Sequence, residues 1–225
     1  MRQLSWLLAA PVFLAANVVT ASAWDDPRYR WTVHNISDLG NVTCGRWDTT
    51  RPREVCSPWH DVMNTGFVAT GVLLALGAIL LWPVLGRAVT VLTLAGGTGY
   101  AMAGAFPADV DENRHFLAAL LVFGPANVAM LVAARRSWTS LALGLTGVAG
   151  TVLFLARVDL GFGVGGMERV AVFPFLAWTL VVALRTLGGG EEGGGAVRVG
   201  QPLGVARGGD DTGGELAAQP RRGQR

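Results

Sequence analysis

The sequence predicts an all-α membrane protein: a six-transmembrane-helix bundle with a disulfide-closed extracytoplasmic loop and a disordered C-terminal tail. Three observations carry this expectation. Of the 225 residues, 51% are hydrophobic and only 15% charged, with a mean hydropathy of +0.41. A soluble domain carries about 25% charged residues. The charges are also unevenly spread: residues 25–61 hold 11 and residues 187–225 hold 10, leaving 13 for the other 149. Finally, both cysteines of the chain fall in the first of those charged stretches. Such a sequence cannot cover the surface of a soluble domain, and it is too apolar to stay unfolded in water.

The scattered charges divide the chain into uncharged runs at 3–24, 62–86, 88–108, 115–134, 137–156 and 170–184. About 20 residues cross a hydrocarbon core as a helix, and five runs reach that length. The sixth is shorter, but Glu168 and Arg169 at one end and Arg185 at the other can sit at the interfaces. The runs are continuously apolar rather than alternating, which selects helices over a β-barrel. Expected spans are 4–24, 62–84, 88–107, 115–134, 138–156 and 168–187, forming a membrane domain over 1–187.

Arg2, the apolar stretch and Ala21-Ser-Ala23 also fit a signal peptide, whose removal would leave five spans. The length of the uncharged run and Asn17 within it favour a retained first span. Glycines inside the spans, such as Gly71, Gly97 and Gly147, read as packing residues that let helices approach. Trp6, Trp24, Trp59, Trp82 and Trp138 lie near span ends, where indoles anchor at headgroup level. The tail, 188–225, is rich in glycine and balanced in charge, so it is expected to be a disordered cytoplasmic extension.

Six spans place both termini on one face. The linkers there carry Arg2, Arg87, Arg135, Arg136 and Arg185 and no acid, which suits the cytoplasmic side of a cell membrane. The loop 25–61 is then external. Cys44 and Cys56 within it are a natural disulfide in an oxidising compartment, and closing a loop of this size stabilises it by about 3 kcal/mol. Two thiols without a CxxC spacing make a poor metal site.

Ionisable residues at membrane level are the best pointers to function in such a chain. The candidate cluster on the external face is His34, Asp38, His60, Asp61, Asn64, His115, Glu168 and Arg169. His60 and His115 enter the second and fourth spans from that face. With Asp38 they form a possible zinc ligand set, His34 being a reserve. Polar residues also gather at span ends for structural reasons, so a hydrogen-bond network is the competing reading, and no cofactor is required by it. Asn17, Asn64 and Asn127 are expected to bond between helices. Membrane lipids are the expected partners, and nothing points to nucleic acid. A small transporter is the third reading, and against it stand the lack of charge deep in a predicted span and of a repeat between the two halves of the chain.

The stretches His34-Asn-Ile-Ser-Asp-Leu-Gly40 and Val55-Cys-Ser-Pro-Trp-His-Asp-Val-Met-Asn64 resemble the DUF998 family of bacterial six-span membrane proteins. Gly104-Ala-Phe-Pro107 followed by His115, then Asn127, and Gly166-Met-Glu-Arg169 extend the resemblance over about residues 5–187. It implies a multi-pass membrane protein without an assigned reaction, and so no catalytic residues to transfer. Metal-dependent membrane hydrolases of the alkaline ceramidase type need a paired His motif in a late helix, and the sixth span here contains no His. A lipid- or partner-binding module is therefore the first expectation, and a metal-dependent hydrolase or lipid-modifying enzyme the second.

Overall fold

The computed structural model describes residues 2–48 and 50–188. Six helices are long and apolar enough to span a membrane. They are α1 (Leu4–Ser22), α2 (His60–Leu80), α4 (Arg87–Ala105), the composite of α5 (Glu112–Leu121) and α6 (Asn127–Ala133), α7 (Trp138–Leu155) and α8 (Gly163–Gly188). A short helix, α3 (Trp82–Leu85), links α2 to α4. Apart from Gly188, which closes α8, the C-terminal extension expected to be disordered lies outside the described residues. The chain is a multi-pass membrane protein.

The spans pack in chain order into a ring. α1 lies on α2, α2 on α4, α4 on α5, α6 on α7, α7 on α8, and α8 returns to α1. Between α5 and α6 the helix widens into a π turn over Val122–Ala126 that contains Pro125. Proline has no N–H to donate, and a π turn is one way to absorb that loss within a helix. α5 packs on α4 and this turn, but has no extensive contact with α7 or α8. The ring is therefore splayed at the α5 end.

Close helix contact depends on residues without side chains. A Cβ at Gly71 of α2 would lie 2.5 Å from both the Gly97 carbonyl oxygen and the Ala101 nitrogen of α4. Backbone cannot move aside as a flexible side chain can. The ring's middle is aromatic: Phe13 meets Phe67 at 5.2 Å and Tyr100 at 5.3 Å, both edge-on. Trp6 and Trp24 do not anchor at the headgroups as their position in the sequence suggests, for both are buried. Trp6 donates from Nε1 to the Leu74 carbonyl at 3.0 Å and packs 5.5 Å from Trp178. Trp59, Trp82 and Trp138 are exposed.

Asn127 is the polar link across the ring. Its Nδ2 donates to the carbonyls of Phe123 (2.9 Å) and Ala171 (3.0 Å) and lies 3.2 Å from Thr151 Oγ1, joining the π turn, α7 and α8. Asn17, by contrast, donates within its own helix, to Phe13, and to no other span among the described residues. Asn64 donates to the Gly40 carbonyl, in the loop rather than in another span.

The contact at Gly71 can be tested directly. Gly71→Val is expected to lower stability by about 1–3 kcal/mol, the usual range for overpacking, whereas Gly124→Ala meets open space and should be near neutral. Thermal unfolding of the two variants in one detergent, followed by circular dichroism, measures the difference.

Candidate functional site

The segment between α1 and α2 folds into a cap over one end of the bundle. Its hairpin pairs β1 (Gly45–Trp47) with β2 (Arg53–Val55), Gly45 opposite Val55, and the Cys44–Cys56 disulfide closes the next position. A 3₁₀ turn over Ser37–Gly40 lies beneath it. Asp38 in this turn is buried and accepts from Arg53 Nε at 2.6 Å and Nη2 at 2.7 Å, and from the Asn35 amide at 2.7 Å. Burial opposes the charge on Arg53, but Asp38 outweighs it and raises the guanidinium above its usual pKa. Asp48 at the hairpin tip is opposed by burial too. Bonds from the Thr50 hydroxyl and amide, the Arg51 amide and the charge of Arg53 still hold it down at about 2.

Glu168, Arg169 and Asp109 join Asn64 in fastening the cap to the rest of the protein. Glu168 is buried about 1.4 turns into α8, not at its mouth, because the helix begins at Gly163 rather than near 168. Its Oε2 accepts the Ile36 amide. Arg169 donates to the carbonyls of Trp31 (3.0 Å) and His34 (3.1 Å), and to the Tyr29 hydroxyl, while stacking over the Trp31 ring at 4.9 Å. Asp109, ahead of α5, accepts from the Val42 amide and from the Thr43 amide and hydroxyl.

The three histidines have separate surroundings. His34 is buried, accepting at Nδ1 from the Arg30 amide (2.9 Å), so its Nε2 carries the proton given to the Glu54 carbonyl (3.1 Å). His60 bonds through Nδ1 to the Ser57 carbonyl (3.0 Å), and its Nε2 lies 3.4 Å from the exposed Asp61. His115 donates from Nδ1 to the Phe106 carbonyl at 2.8 Å. The structure thus does not assemble His60, His115 and Asp38 as a ligand set. Asp38 is occupied by Arg53, and no group of three His, Cys, Asp or Glu among the described residues could hold a metal ion. Asp38, His34, Arg169 and Glu168 do converge, through the cap's backbone.

A crevice of about 750 Å³ opens where α5 and α7 part beneath the hairpin. Its upper wall is polar, with Arg46, Asp48, Arg51 and Arg157, and its lower walls are apolar, with Phe116, Leu120, Phe154 and Leu155. A smaller chamber of about 30 Å³ adjoins it, sharing Ser37, His115, Ala119, Phe123 and Glu168 as lining. That is the room of about one water. Tyr100 also faces the chamber, its hydroxyl buried without a partner among the described residues. Together Tyr100, His115 and Glu168 can hold a water or a hydroxyl group. Sequence reasoning missed Tyr100 and the arginines; the one signal for Tyr100 was a lone phenol within an otherwise apolar span.

His34 provides a pH test of the cap. Burial, only partly offset by Asp38, holds its pKa below 6.5. The folded cap then binds fewer protons than the unfolded chain in mild acid. Its contribution to stability is full above pH 6.5 and is lost as pH falls toward the lower folded value. The melting temperature in detergent is expected to drop between pH about 7.5 and about 5.5, and His34→Gln to shrink that drop. An undiminished drop in the variant would remove His34 as its source.

The same residues that form the cap and fasten it to α8 lie within the segment matched by a protein-family model. The match covers residues 7–185 and is to DUF998, described as a protein of unknown function. Comparisons with curated proteins and with solved structures find no match. With most of its length matched, the chain belongs to the DUF998 family.

Proposed function

We propose that this protein binds a membrane lipid in the crevice between α5, α7 and the cap. The observation that carries the reading is the division of that crevice into a polar roof and apolar walls, at the place where the ring is splayed. Phe116 and Leu155 at its edges are exposed and face hydrocarbon in a bilayer, so an acyl chain can enter sideways without leaving the membrane. The roof then meets the headgroup.

A second reading, a lipid-modifying enzyme, is favoured by one observation: Tyr100, His115 and Glu168 border the chamber beside the crevice. A metal-dependent form of that enzyme draws on His115 alone of the three residues His60, His115 and Asp38.

The lipid reading predicts where a photoactivatable acyl chain attaches. Phosphatidylglycerol carrying a diazirine in its tail should label Phe116–Phe123 and Phe154–Leu155, and Ala119→Trp should reduce that labelling severalfold by filling the crevice. Labelling spread evenly over all six spans and unchanged in the variant would overturn it.

We also infer that the cap faces the outside of a cell membrane and that both ends of the membrane domain are cytoplasmic. The support is the disulfide, which suits an oxidising compartment, and the Arg-only linkers on the opposite face. Impermeant maleimide added to intact cells should label Cys44 and Cys56 only after reduction. Labelling that instead requires permeabilised cells would reverse the orientation.

A further inference from the structure

We propose that the lipid held in this crevice is a phospholipid, and that its phosphate is gripped by Arg46, Arg51 and Arg157. The inference rests on the crevice being a lipid site and adds the chemistry of the headgroup. Four arginines border the crevice, and they are not equivalent. Arg53 is committed to Asp38 and, at 3.3 Å, to Asp48. Arg46 on β1 and Arg157 after α7 are both exposed, and the guanidinium of neither has a hydrogen bond or ion pair among the described residues, their backbones alone being bonded. Arg51 lies between these conditions: its Nε is 3.9 Å from Asp48, makes no hydrogen bond, and its guanidinium lies 5.2 Å over the Phe154 ring.

The cations also work against one another. Burial lowers the pKa of Arg51, Asp48 opposes that, and the charges of Arg53 and Arg157 lower it further. Charges of one sign are thus gathered under a roof with their donors unspent. Asp48 offsets part of this charge, but its oxygens already accept from Thr50, the Arg51 amide and Arg53, and it forms no bond to the guanidinium of Arg46 or Arg157 among the described residues. Glu168 is turned to the Ile36 amide. Glu112, at the start of α5, is the remaining acid on the rim. A phosphodiester supplies what is missing, an anion with several acceptor oxygens that match the planar fork of a guanidinium. The aromatic and aliphatic walls below, Phe154 and Leu155 on one side and Phe116 and Leu120 on the other, take the chains. Roof and walls are adjacent, as headgroup and tail are in one molecule. A free phosphate ion would use the roof and leave the walls bare, so the occupant is the lipid.

The test is competition against the photoactivatable phosphatidylglycerol on the full chain in detergent micelles. Unlabelled dioleoylphosphatidylglycerol is expected to displace the label about tenfold better than dioleoylglycerol, which has the same tails and no phosphate. In a double variant, Arg46→Gln with Arg157→Gln, that preference should fall to about twofold or less, with displacement by dioleoylglycerol unchanged. Both side chains are exposed, so the variant should fold, and an unaltered melting curve checks this. Equal displacement by the two lipids in the unmodified protein would refute phosphate recognition and leave the lipid crevice standing. A preference that survives in the double variant would refute the assignment to these arginines. Displacement by millimolar inorganic phosphate as effective as by the phospholipid would show a free-anion site instead. Absence of crevice labelling at the outset would remove the lipid reading itself, and this inference with it.

Discussion

The buried pair of Arg53 and Asp38 is the interaction on which the cap is built. Both side chains are almost wholly withdrawn from solvent, and two parallel bonds of 2.6 and 2.7 Å join them. Desolvating two charges is costly, and the pair recovers that cost only because the remaining acceptor capacity of Asp38 is also used, by the Asn35 amide. Losing one partner leaves the other charge stranded, a change typically worth about 3–5 kcal/mol. The consequences extend outward from it. The 3₁₀ turn that carries Asp38 presents the Ile36 amide to Glu168 and the Leu39 carbonyl to Ser57. The strand that carries Arg53 continues into Glu54, whose carbonyl receives the His34 proton. The roof of the crevice is thus fixed by one ion pair and the backbone on either side of it.

Below the cap the problem is different, since lipid gives helices little hydrophobic reason to associate. The ring is held by shape and by a few polar groups whose alternatives inside the bilayer are poor. Asn127 illustrates the second. It reaches the π turn, α7 and α8 at once, and Gly147 leaves room for its amide beside α7. Gly71 against Gly97 illustrates the first. Where neither device is present, between α5 and α7, the helices stay apart and the crevice results.

The spans were legible because charge is forbidden in hydrocarbon, so its absence marks them directly. The disulfide was legible from composition, there being only two cysteines. What was not legible depended on which helix faces which. Trp6 and Trp24 look like interfacial anchors in a linear reading and are core residues because α8 and the cap cover them. Glu168 reads as a helix-end charge in the sequence and lies inside the helix because α8 starts at Gly163. Tyr100, Arg46 and Arg157 belong to three different segments, and no local pattern brings the arginines to one crevice and the phenol to the chamber beside it. Of the polar residues on the cap side, His60 and Asp61 bond to near neighbours among the described residues, while Asp38, His34, Glu168 and Arg169 act through backbone groups that a sequence does not display.

The closure of the ring between α1 and α8 has a topological consequence. Gln3 reaches the Thr186 carbonyl at 3.4 Å, so the two ends of the helical domain are neighbours on one face. Each span therefore has two flanking partners irrespective of where the chain is cut. A circularly permuted chain, joined from the end of α8 to the start of α1 and opened between α2 and α4, would retain every contact between spans described above. The bundle is a cyclic object threaded by a linear chain.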